Sequence, residues 1–131
     1  MRIVVGQGSC GIAAGAEKVL SAIEAAGVKV GVTGCIGMCY LEPIVDIYEG
    51  GTLLKRLVRV SEKDGARIAN AVLSGDIECL SDIEISEEDN QFLALQTRIA
   101  LRNCGVIDPT DINAYIACDG YKALAKVLGG M

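Results

Sequence analysis

The stretch VKVGVTGCIGMCYLEPIVDIYEGGTLLKRLV, residues 28–58, holds most of the fold in one reading. Val28–Thr33 alternates small or apolar with polar residues and predicts a strand. Ile44–Glu49 and Thr52–Val58 predict two more, joined by Gly50-Gly51 as a hairpin turn. Between the first strand and the second lies a glycine-rich loop with Cys35 and Cys39 at a C-x3-C spacing, closed by Pro43. Two thiols in so pliable a loop need either a third partner or a reason to be buried.

Working back toward the N-terminus, Arg2–Val5 reads as a short buried strand, and Gly6, Gly8 and Gly11 surround Cys10 in a tight turn. Ile12–Ala26 carries apolar residues at helical spacing, and Gly27 ends it. A strand–helix–strand unit of this kind makes its two strands parallel neighbours by a right-handed crossover. The turn after the first strand and the loop after the second then share one edge of the sheet. That arrangement predicts Cys10 within reach of Cys35 and Cys39. Beyond the hairpin, Ser61–Asp64 reads as the start of a helix to about Leu73, stopped by Gly75. Residues 1–75 thus predict a β-α-β-β-β-α domain of the α/β class with a mixed sheet. The acidic run 76–89 reads as a linker, and 90–131 as a short all-helical extension. Its helices are expected over Asn90–Asn103, from Asp108-Pro109 to about Asp119-Gly120, and over Tyr121–Leu128.

Composition narrows the chemistry. The chain has 131 residues, net charge −5, six cysteines and no histidine. The missing histidine excludes Cys/His zinc sites, Ser-His triads and Rieske-type clusters. The acidic balance and scattered basic residues argue against nucleic-acid binding. No apolar run reaches the ~20 residues of a membrane span, and no signal-peptide pattern opens the chain. A cytoplasmic protein with reduced, metal-bound or redox-active thiols is the expectation. Asp46, Glu49 and Asp76 read as solvated strand or linker residues, and Asp108 and Asp111 as helix-start residues. No catalysis is expected from this chain alone.

Three thiols from two glycine-rich turns suit an iron–sulfur site, where backbone N–H groups must turn toward sulfur. The bland alternative is that cysteine serves as a small buried hydrophobe, which is the preferred reading for Cys79, Cys104 and Cys118. A reversible Cys35–Cys39 disulfide is a third reading, ranked lower because it lacks a C-x-x-C spacing.

GSCGIAAGAEKVL, followed by TGCIGMCYLEPIVDIY, resembles the thioredoxin-like [2Fe-2S] ferredoxins over roughly residues 1–75. That resemblance implies a [2Fe-2S] cluster with Cys10, Cys35 and Cys39 as metal ligands. The family's first cysteine is replaced here by Val5, so the fourth ligand would be Ser9, a carboxylate, a solvent molecule or a partner's cysteine. QTRIALRNCGVIDPTDINAYIACDGYKAL, residues 96–124, resembles the opening of the NADH-binding flavoprotein subunit of respiratory complex I, NAD(P)-linked hydrogenases and formate dehydrogenases. The second resemblance implies an oxidoreductase subunit whose partners are a flavin domain or other subunits; homo-oligomers also remain open. No G-x-G-x-x-G cradle is present, so neither FMN nor NAD is expected on this chain. Arg98, Arg102 and Tyr121 are read as structural. Two functions follow: a single-electron relay through the cluster, or a docking module that has lost it.

Overall fold

A computed structural model describes residues 1–130. Four strands, β1 (Arg2–Gly6), β2 (Val30–Thr33), β3 (Val45–Glu49) and β4 (Thr52–Leu57), form one sheet in the order β2-β1-β3-β4. β1 and β2 are parallel, while β3 runs antiparallel to both β1 and β4. This is the mixed sheet that the crossover argument requires, with a β-bulge between Ile47 and Tyr48 in the β3–β4 hairpin.

The connection from β1 to β2 is two helices where the sequence suggests one. α1 (Ser9–Ala14) ends at Gly15, which takes φ 104°, and α2 (Ala16–Ala25) starts directly after it. The left-handed backbone at Gly15 lets its N–H close α1 on Gly11 and Ile12 carbonyls, the usual use of glycine at a helix end. Alanines on both sides hide the break from periodicity. Cys10 therefore sits in the first turn of α1 and not in an open loop.

α3 (Gly65–Ser74) follows a 3-10 turn, Glu62–Asp64, introduced by a capping box between Ser61 and Asp64. It lies against α2, and a Cβ on Gly65 would stand 2.4 Å from that of Ala22, so only glycine permits this approach. Ile3, Val5, Val19, Ile23, Val45, Ile47, Leu57 and Ile68 fill the main core between the sheet and these helices. Val5 belongs wholly to this core.

The acidic stretch after Gly75 behaves differently from a linker. Ile77–Ile83 is a 3-10 helix whose Leu80 is fully buried in the main core. Val58 donates to the Ile83 carbonyl at 2.9 Å, and Ile85 to that of Arg56 at the same distance. Lys55 brings the acidic side chains in, donating to Glu84 at 2.5 Å, Ser81 at 3.1 Å and Glu78 at 3.3 Å. Leu80, with Ile77 and Ile83 packed against the same core and Ile85 against a second apolar cluster, anchors the acidic run from within.

The helical part departs from expectation in its bounds. α4 (Glu87–Ala94) is capped by Ser86, whose hydroxyl accepts from Asp89 N–H, and it stops well short of Asn103. Residues 95–111 form turns. α5 (Ile112–Ala117) is capped by Asp111, not Asp108, and α6 (Lys122–Leu128) begins after a left-handed Tyr121. Asp108 instead accepts from the Thr110 N–H and hydroxyl. Asp46 is a further correction: it is 3% exposed and bound by Arg56 through two bonds of 2.8 and 2.7 Å. The two form a structural ion pair with Asp46 buried and Arg56 part-buried. No helix among the described residues is long and apolar enough to cross a membrane.

Candidate metal centre

The C-terminal ends of β1 and β2 are latched together by the Gln7 N–H, which donates to the Thr33 carbonyl at 2.7 Å. The two turns that follow meet at very close range. A Cβ on Gly8 would lie 2.8 Å from Cys35 Cβ and 3.0 Å from its backbone nitrogen, so the turn at Gly8 rests directly on the Cys35 loop. The result is that Cys10, Cys35 and Cys39 bring their sulfurs within 4.8 Å of one another. Cys35 and Cys39 are 3.6 Å apart, far beyond the ~2.05 Å of a disulfide, and are free thiols. Gly37, with φ 92°, points its N–H at Cys35 Sγ from 3.2 Å. Cys39 opens a 3-10 turn, Cys39–Leu41, that leads to Glu42.

Electrostatics at this point are unfavourable to bare anions. Burial, then hydrogen bonds to Cys35 and Cys39, push the Cys10 thiol up to about 12. Glu42 lies beside it: the Cys10 thiol donates to Glu42 Oε1 at 3.9 Å. Burial raises the Glu42 carboxyl above its ordinary range, against the lowering pull of the Ile44 N–H and the Cys10 thiol. Cys10 and Glu42, side by side, are both held toward their neutral forms, which a bound cation would reverse. The donor set therefore fits a thiolate-ligated metal: soft sulfur donors, an inward N–H and a shortage of positive charge.

A second layer supports the Cys35 loop. Arg98 donates to the Ile36 carbonyl at 2.6 Å and to that of Cys104 at 3.3 Å. Thr33 Oγ1 donates to the Ile107 carbonyl at 2.8 Å. Gly105, at φ 83°, lies so close to Ile36 that a Cβ there would meet its Cγ2 at 2.4 Å. Arg98 is thus structural, as expected, while the turns of 98–107, the first part of which lies in the helix expected over Asn90–Asn103, clasp the Cys35 loop. Cys79 is exposed on its 3-10 helix and donates to the Asp76 carbonyl at 3.1 Å. It, Cys104 and Cys118 stay outside the three-thiol group. Ser9 is exposed. Glu42 is the residue that sequence reasoning left unnamed among "a carboxylate"; its place three residues after Cys39 and before Pro43 was the available signal.

A four-stranded sheet with parallel β1–β2, antiparallel β3–β4, and turns converging at one edge defines the thioredoxin-like ferredoxin fold. Two solved structures of the thioredoxin-like [2Fe-2S] ferredoxin from Aquifex aeolicus share it. A serine-for-cysteine variant matches with TM-score 0.51 and 18% identity, covering 66% of this chain and 98% of that one. The wild type matches with TM-score 0.50 and 19% identity, covering 66% and 96%. In sequence, 33 residues are 67% identical to the NADP-reducing hydrogenase subunit HndC of Solidesulfovibrio fructosivorans. That match spans 25% of this chain and 7% of the hydrogenase subunit. No protein-family profile matches the chain.

Proposed function

We propose that this chain is an electron-transfer module of an NAD(P)H-linked multisubunit oxidoreductase, working in the cytoplasm. Cys10, Cys35 and Cys39 would hold a [2Fe-2S] cluster, which supplies one-electron redox chemistry. The observation that carries this reading is the meeting of three sulfurs from two separate turns within 4.8 Å. Loops that merely bury cysteine have no need to aim three of them at one point. The chain's own contribution is placement: the Gly8 contact fixes the spacing of the two turns, Gly37 N–H faces Cys35 sulfur, and Arg98 holds the loop behind it.

The similarity to a hydrogenase subunit supports the choice of complex. The organisation into a ferredoxin-like domain followed by a helical segment akin to the start of an NADH-binding flavoprotein subunit belongs to the same reading. Leu95, Ile99, Val106 and Leu128 are 86, 73, 66 and 78% exposed, as suits a segment that packs on a flavin domain or another subunit.

Anaerobic reconstitution with iron and sulfide tests it. Sulfur-to-iron bands in the visible and about two irons per chain are expected, and Cys35→Ser should abolish both. A colourless, iron-free wild type that stays folded would overturn the relay and leave a docking module.

A further inference from the structure

Resting on the reading above, we propose that the Glu42 carboxylate is the fourth ligand of the cluster, taking the place of the thiolate that this chain lacks. Glu42 is 8% exposed. Its Oε2 accepts from the Ile44 N–H at 2.8 Å, while Oε1 is directed to Cys10 Sγ at 3.9 Å. No lysine or arginine among the described residues forms an ion pair with it. A buried carboxylate with one backbone donor and no cation is costly to keep. Glutamine would accept from the same N–H without that cost, so the geometry calls for a use of the charge.

The seat is made for the carboxylate. A Cβ on Gly6 would stand 3.2 and 3.3 Å from the Glu42 oxygens, and one on Gly11 would stand 3.1 Å from Oε2. Any side chain at either glycine would crowd it. The chain on both sides is pinned, since Arg59 N–H donates to Leu41 at 2.8 Å and Gly6 N–H to Ile44 at 3.0 Å.

Glu42 reaches the three-thiol group through Cys10. Two thiolates on one tetrahedral metal at ~2.3 Å lie about 3.8 Å apart. Cys35 and Cys39, at 3.6 Å, match one such edge. Cys10 and Glu42 Oε1 are 3.9 Å apart, and Glu42 stands at the Cys10 side of the three-thiol group. Carboxylate carries the same single charge as thiolate, so total charge is kept, whereas a water ligand would lose one. On loading, the three cysteines release their protons to solvent and Glu42 binds as the anion. Val5 cannot take this role, because its side chain is in the main core, and Ser9 is exposed.

The test compares wild type, Glu42→Gln and Ser9→Ala after anaerobic reconstitution with iron and sulfide. Glu42→Gln should lose iron to a chelator at least about tenfold faster and change its reduced electron-spin resonance, while Ser9→Ala matches wild type. Circular dichroism and melting of the metal-free proteins check that the variant is folded. Independently of any variant, the Mössbauer spectrum of oxidised wild type should hold two inequivalent ferric sites. A single class of iron site overturns the proposal. So does a folded Glu42→Gln with unchanged iron retention and resonance. A wild type that never loads overturns the relay reading itself, so the two failures are told apart.

Discussion

Adding one methyl group at Gly8 should damage the centre more than its size suggests. Gly8 has φ −64° and ψ 163°, a backbone any residue adopts, so Gly8→Ala brings no backbone strain. Its new Cβ would sit 2.8 Å from Cys35 Cβ and 3.0 Å from Cys35 N, where ordinary contact begins at 3.4 Å. The turn bearing Cys10 and the loop bearing Cys35 must therefore separate by about 0.6 Å, more than the ~0.5 Å that a preorganised site tolerates. Overpacking of this kind costs about 2 kcal/mol, or roughly 10 °C in Tm for a domain of this size. Iron retention should fall together with stability.

Gly8 is also the N-cap of α1, and alanine is a poorer cap than glycine by about 0.5–1 kcal/mol. Gly8→Ser separates the two causes, because serine is among the best caps yet carries the same Cβ and an oxygen besides. The steric argument expects Gly8→Ser to be destabilised at least as much as Gly8→Ala. Capping alone expects it to match or exceed wild type. Gly34→Ala is the control: it adjoins Cys35, but its nearest foreign atom, Pro109 Cγ, would be 3.9 Å away. Urea unfolding of metal-free protein and iron content after reconstitution read the outcome. A Gly8→Ala protein within about 0.5 kcal/mol of wild type with full iron, or a stabilised Gly8→Ser, would refute the close-contact account of how the sulfurs are brought together.

Three further outcomes are expected. Asp46→Asn leaves the part-buried Arg56 without its counter-charge and should cost about 2 kcal/mol, read from the urea midpoint; a midpoint unmoved would mean the pair is solvated. Leu80→Ala should cost about 3 kcal/mol by opening a cavity in the core, and a chain ending at residue 75 should unfold more readily than one ending at 86. Equal midpoints would contradict the packing of the acidic run. Arg98→Ala removes charge-assisted bonds to Ile36 and Cys104 carbonyls, worth about 2 kcal/mol, so amides of the Cys35 loop should exchange at least about tenfold faster, and unchanged exchange would show that Gly105 and Thr33 hold the loop unaided.

What the sequence disclosed depended on whether the physical signal was local. Strand alternation, the Gly50-Gly51 hairpin and the crossover rule together gave the parallel β1–β2 pair, and with it the convergence of Cys10 on Cys35 and Cys39. Each follows from near neighbours plus one chirality rule. The 77–83 stretch was hidden because it opens the acidic run 76–89, while the decisive contacts, Leu80 in the core and Lys55 reaching Glu84, come from residues remote in sequence. Arg56 with Asp46 escaped notice for the same reason: an aspartate in an alternating strand reads as solvent-facing until a strand neighbour supplies a guanidinium. The helix expected over Asn90–Asn103 stops at Ala94, and Arg98 beyond it is drawn onto the Cys35 loop, a tertiary demand that local propensity does not register.

Glu42 shows where the two kinds of information join. Its chemistry is visible in the sequence as an acid just after C-x3-C and before Pro43, but nothing local distinguishes it from a solvated loop residue. Only the sheet makes the distinction, because β1 pairs with β2 on one side and β3 on the other, so the turn after β1 lies between the Cys35–Cys39 loop and the entry to β3. Gly6 and Gly11 then leave room for an acid to lie over the Cys10 turn. Burial and the neighbouring Cys35 and Cys39 side chains make the Cys10 thiol costly to ionise, and Glu42 beside it adds to that cost. The same edge carries the clasp of 98–107, through Arg98 to Ile36 and Thr33 to Ile107, that ties the helical part to the Cys35 loop.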